Sequence, residues 1–72
     1  MNVLQKYLDK NKISKYRVYK ETGISKMTLS HATAEGKKLE GQTVKVLSAV
    51  AKTLGKTPGQ VLDDLIALEK II

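Results

Sequence analysis

The sequence predicts an all-α fold. Apolar residues recur at the three-and-four spacing of a helix from end to end, and no segment alternates apolar and polar as a half-buried strand does. Cap signals divide the chain into five short helices, the second and third meeting across Thr22-Gly23-Ile24-Ser25.

Asn2 can cap a first helix from about Val3 to Lys10, in which Leu4, Tyr7 and Leu8 share one face. Ile13 anchors the link to a second helix, Lys15 to Thr22, whose N-cap is Ser14. Gly23 can adopt the left-handed backbone that ends a helix within one residue, and Ser25 offers a hydroxyl to cap the third, expected over Lys26 to Ala34. Val18, Ile24 and Leu29 place apolar groups before, within and after this turn, as two helices held at a steep angle require. The arrangement reads as a helix-turn-helix, a device for reading duplex DNA.

Glu35 to Gly41, with two glycines among charged residues, marks a loop that Leu39 pins inward. A fourth helix, Val44 to Leu54, follows a Gln42-Thr43 cap and stops at Gly55; its Val44, Leu47, Val50, Ala51 and Leu54 are expected in the core. Thr57-Pro58-Gly59-Gln60 opens the fifth, over about residues 58–72: Thr57 caps, Pro58 suits the first helical position, and Gln60 completes a capping box. Val61, Leu62, Leu65, Ile66, Leu68, Ile71 and Ile72 then exceed what one small core absorbs. Leu68, Ile71 and Ile72 are expected to contact a second copy of the chain.

At 72 residues the chain is expected to be one domain, with a stability of only about 0.05–0.15 kcal/mol per residue. Without cysteine it has neither a disulfide framework nor a thiolate metal site, which suits a reducing cytoplasm. No stretch approaches the ~18 consecutive apolar residues of a membrane span, and the N-terminus has no secretory apolar run. A soluble, cytoplasmic protein is expected. The net charge of +6 is polarised: nine basic against three acidic residues in 1–38, four against four in 39–72. The whole excess travels with the helix-turn-helix, where neutralising phosphate supplies most non-specific DNA affinity.

Taken together, residues 3–66 resemble the lambda-repressor/Cro type of helix-turn-helix regulators. The matching stretches are Ile13-Ser14, Thr22-Gly23-Ile24-Ser25, Thr28-Leu29-Ser30, Gly36-Lys37-Lys38, Thr43-Val44 through Ala51-Lys52-Thr53-Leu54-Gly55, and Thr57-Pro58-Gly59-Gln60-Val61-Leu62. The chain departs from the pattern at Tyr19, where the family usually has Ala. Ala32 replaces a larger aliphatic residue, and the segment before Gly36 is one residue longer. The resemblance implies a compact five-helix, lambda-repressor-like domain acting on double-stranded DNA. It implies a transcriptional repressor from a bacterium, phage or mobile element, working as a homodimer on a two-fold operator.

The resemblance also puts Ser25, Lys26, Met27, Thr28 and His31 toward base edges in the major groove. Lys26 can donate to guanine O6 and N7, Thr28 can meet a base edge, and Met27 can touch a thymine methyl. The other reading of Met27 is core packing, and of His31 an ordinary exposed histidine. Lys15, at a helix N-terminus, is placed on backbone phosphate. Arg17, Ser30, Lys37 and Lys38 are further phosphate candidates.

His31 is the only histidine and no acids cluster around it in sequence, so no metal site or cofactor is expected, nor any small-molecule ligand. Asp63 and Asp64 point about 100° apart on a helix and are expected to stabilise helix five rather than perform acid chemistry. Without a nucleophile-base pair or phosphate-cradling loop, an enzyme is not expected. The alternative to a DNA-binding regulator is a protein-interaction module, such as an antitoxin-like protein, that uses the same scaffold to hold a partner.

Overall fold

Each of the five α-helices starts on a short polar side chain that accepts an N–H of its own first turn. In a computed structural model, which describes residues 2–71, Asn2, Ser14, Ser25, Thr43 and Thr57 accept from the amides of Gln5, Arg17, Thr28, Val46 and Gln60. Each such cap is worth about 1 kcal/mol. The fifth is reciprocal, because the Thr57 amide donates to Gln60 Oε1 at 2.9 Å. The resulting helices are α1 Val3–Lys10, α2 Lys15–Thr22, α3 Lys26–Ala32, α4 Val44–Leu54 and α5 Pro58–Glu69, with a 3-10 turn at Leu39–Gly41.

Two expectations on extent change. α3 stops at Ala32 rather than Ala34, because Thr33 turns its hydroxyl back to the Leu29 carbonyl and side-chain amides take up the carbonyl of Ala32. α5 stops at Glu69 rather than continuing through the tail. The segment expected as plain loop contains the 3-10 turn, with Leu39 buried as foreseen.

α4 packs on α5, α2 and α3, while α1 covers α5. One contiguous cluster joins Leu4 and Leu8 of α1, Val18 of α2, Leu29 of α3, Val50 of α4, and Val61 and Leu65 of α5, all fully buried. Each large side chain taken fully out of water contributes about 1.5–3 kcal/mol. Tyr19 is accommodated half-buried against this cluster, its ring edge-on to Tyr16 at 5.3 Å.

Two residues change sides. Val44, expected in the core, is 72% exposed: at the first position of α4 it stands beside an open groove instead of beneath another helix. Leu68, expected at a dimer surface, is only 5% exposed and completes the core. Ile71 is exposed, and Ile72 lies outside the described residues. No helix among the described residues is long and apolar enough to cross a membrane.

Candidate nucleic-acid interface

Gly23 ends α2 at φ +76°, its amide donating to the Tyr19 carbonyl at 2.9 Å. A left-handed residue redirects the chain in one step. Two residues later Ser25 caps α3, its hydroxyl 3.4 Å from the Thr28 amide. Thr22 ties the turn together: its hydroxyl donates to the Val18 carbonyl at 2.7 Å and accepts from the Ile24 amide at 3.2 Å.

α3 has only seven residues, well below the roughly 12–15 needed for a helix to persist alone. Packing holds it. Leu29 and Ala32 are its buried residues, so Lys26, Met27, Ser30 and His31 are left on the open side. Met27 is 69% exposed, which excludes the core reading of its thioether. Thr28 is half-buried, and Ser25 is exposed with its hydroxyl engaged in the cap.

Lys15 occupies the first position of α2 and is exposed. Arg17 is less free than its position implies, since its Nε donates to Glu21 Oε2 at 2.8 Å. Lys20 lies over the Tyr16 ring at 5.3 Å. Lys37 and Lys38 are exposed on the loop after α3. Of the base-reading candidates, Lys26, Met27 and His31 are therefore exposed on α3, with Thr28 half-buried beside them and Ser25 at the N-cap. Of the phosphate candidates, Lys15 and Arg17 lie at the start of α2, Ser30 on α3 itself, and Lys37 and Lys38 form a second group beyond α3.

Sequence reasoning missed what fixes the second group. The Asn2 side-chain amide donates to the carbonyls of Ala32 and Ala34, each at 2.9 Å, and to that of Lys37 at 3.5 Å. Gln42 Nε2 donates to the same Ala32 carbonyl at 2.7 Å. Both residues had been legible only as helix-start signals. Nothing local distinguishes a capping Asn from one that also reaches a loop 30 residues away.

Among the described residues, no group of three or more His, Cys, Asp or Glu gathers where it could hold a metal ion. Asp64, expected to stabilise α5 near its start, also pairs with Lys56 and accepts from Tyr7.

No characterised protein and no solved structure matches the chain significantly. The model of one protein family, described as a Cro/C1-type HTH DNA-binding domain, matches residues 3–65 and so spans all of α1 to α4 and most of α5. With the capped helices, the left-handed turn at Gly23 and the short, outward-facing α3, this match places the chain in the family of Cro/C1-type helix-turn-helix DNA-binding domains.

Proposed function

We propose that this chain is a transcriptional repressor that binds a two-fold operator as a homodimer, with α3 in the major groove. The observation that carries the reading is the division of α3: Leu29 and Ala32 tie it to the core, and Lys26, Met27 and His31 stand free on the opposite side. A helix so mounted presents donors and an apolar contact to base edges without unfolding anything. Ser25 and Thr28 join the reading face, while Lys15, Arg17, Ser30, Lys37 and Lys38 take backbone phosphate. The chemistry asked of the chain is recognition alone, with no catalysis and no cofactor.

Support for the homodimer comes from a groove of about 410 Å³ between the 3-10 turn, the start of α4 and α5, lined by Leu39, Val44, Leu47, Leu62 and Ile66. Val44, Leu62 and Ile66 are 72%, 38% and 39% exposed, apolar side chains in a groove that Glu40, Gln42 and Glu69 also line. This groove, rather than the tail, is the better dimer surface, because Leu68 is spent in the core. To read successive half-sites, two copies abutted along it have to set their α3 helices one turn of DNA apart, about 34–36 Å.

The same groove favours a second reading, in which the scaffold holds a different protein and DNA binding is incidental. Selecting bound sequences from a random duplex pool separates the two. The repressor reading expects paired half-sites with two-fold symmetry. It also expects affinity to fall steeply with salt, by about 10³–10⁵ between 50 and 200 mM for 6–10 phosphate contacts. Recovery of an unenriched pool, or binding indifferent to salt, overturns it.

A further inference from the structure

We infer that Asn2 and Gln42 are positioning residues for DNA binding: their side-chain amides lock the end of α3 to the loop that carries Lys37 and Lys38, and so hold those two cations at phosphate. The inference rests on the DNA-binding reading above and adds to it a pair of residues that touch no DNA.

The geometry is unusual for a capping residue. Asn2 is 3% exposed, and each end of its amide has a separate task. Its oxygen accepts from the Gln5 amide at 2.9 Å and starts α1. Its nitrogen reaches the carbonyls of Ala32, Ala34 and Lys37, three successive points on the path from the reading helix into the basic loop. From the other side Gln42, just before α4, donates to the Ala32 carbonyl at 2.7 Å. The last carbonyl of α3 is therefore clamped by two amides from different parts of the chain, in place of the helical amide it lacks.

The loop needs such a clamp. Gly36 turns it at φ +87°, outside any regular element, and the next apolar anchor is Leu39. Lys37 itself runs along the backbone of Gly41: a Cβ added there would sit 3.3 Å from Lys37 Cε. Holding a flexible cation in its bound position before the duplex arrives removes an ordering cost from binding. That is the service a clamp on the adjoining main chain provides.

The test uses Asn2→Ser, which keeps a capping oxygen for α1 but cannot reach the three carbonyls, and Gln42→Met, which keeps the stem and loses the donor. Each is combined with Lys37→Ala/Lys38→Ala and, separately, with Lys15→Ala, and the salt dependence of affinity for a random-sequence duplex is measured. In the parent, loss of Lys37 and Lys38 lowers the salt slope by about 0.9 for each lost contact. In either clamp variant the same pair of changes moves the slope by less than half as much. Lys15→Ala has an undiminished effect in every background, a selectivity that general loosening of the fold does not produce. Each clamp variant is carried through singly, so a folding failure in one leaves the other as the test. Full additivity of the clamp and loop changes overturns the inference, as does a parent in which Lys37 and Lys38 do not matter. A parent that fails to bind duplex DNA overturns the DNA-binding reading itself.

Discussion

Tyr7 of α1 donates its phenolic hydrogen to Asp64 Oδ2 of α5 at 2.6 Å, across 57 positions of sequence, and Lys56 Nζ reaches the same oxygen at 2.7 Å. The bond to Lys56, then that from Tyr7, holds the Asp64 carboxyl below its ordinary 3.8. Burial, then the bond to Asp64, pushes the Tyr7 phenol above its ordinary 10.0, and the bonds to Asp64 and Tyr7 raise Lys56 above 10.5. A lowered carboxyl stabilises the fold above its ordinary value, and that stability is lost as pH falls through the folded value. A raised phenol or ammonium stabilises below its ordinary value, and its share is lost as pH rises through the folded one. The difference in Tm between the parent and Asp64→Asn is therefore expected to be flat through neutral pH and to shrink as the solution becomes strongly acidic. Thermal melts across pH read it directly, and a difference that grows on acidification contradicts the assignment.

Tyr7→Phe keeps the buried ring and removes only the hydroxyl. With Asp64 still paired to Lys56, the loss is chiefly that of the 2.6 Å bond to Asp64, about 1 kcal/mol, since the bond from Lys56 Nζ to the same hydroxyl is long at 3.4 Å. Urea titration is expected to show a lower midpoint with an unchanged slope, since no surface is newly exposed.

The link between Tyr7 and Asp64 also marks where sequence reasoning stops. The bounds of α1, α2 and α4 and the start of α5 are written in local chemistry: Asn2, Ser14, Thr43 and Thr57 as caps, Gly23 and Gly55 as left-handed ends. The end of α3 is not, because Thr33, Asn2 and Gln42 decide it together and two of the three are distant in sequence. Periodicity likewise puts Val44 on the same stripe as Leu47 and Ala51, yet says nothing of whether another helix extends far enough to cover it. The same blindness assigned Leu68 outward. In the candidate interface, the open side of α3 followed from the positions of Leu29 and Ala32, whereas the ion pair of Arg17 and the support of the basic loop required the assembled chain.

Leu68 and Ile66 are expected to respond in opposite ways. Leu68→Ala hollows the core and is expected to cost about 2–5 kcal/mol, leaving the association of the remaining folded protein unchanged. Ile66→Glu places a charge on the exposed groove beside Glu69 and is expected to leave Tm within a few degrees of the parent. If the groove is the surface of the proposed dimer, Ile66→Glu is expected to sediment as a monomer and to lose any preference for paired half-sites. If Ile66→Glu and Val44→Glu both sediment as the parent does, the groove is not the dimer surface.

The two left-handed residues flanking α2 give a paired prediction. Gly23 has nothing within 4 Å of an added Cβ, so Gly23→Ala meets no clash and is expected to cost about 1–2 kcal/mol through backbone strain alone. Lys12, at φ +57° after α1, already bears that strain. Lys12→Gly is expected to raise stability, by less than about 1 kcal/mol because glycine also loosens the unfolded chain. Chemical denaturation of the two variants should give shifts of opposite sign, and a destabilised Lys12→Gly would place some untraced contact on the lysine side chain.

Glu21 offers a change expected to strengthen binding. It sits one helical turn after Arg17 with both side chains about half exposed, and their 2.8 Å pair competes with the phosphate contact proposed for Arg17. A pair of this kind on a helix surface is worth about 0.3–0.5 kcal/mol, so Arg17 can be released without endangering α2. Glu21→Gln is expected to raise affinity for every duplex about twofold at low salt, a factor equivalent to that pairing energy. The gain should vanish in an Arg17→Ala background, where there is no cation left to release. It should shrink as salt rises and leave sequence preference unchanged, because phosphate carries no base identity. Lys26→Ala is expected to do the reverse, altering which duplexes are preferred. If Glu21→Gln raises affinity equally with and without Arg17, the gain comes from the removed negative charge itself, and the ion pair plays no part in restraining the arginine.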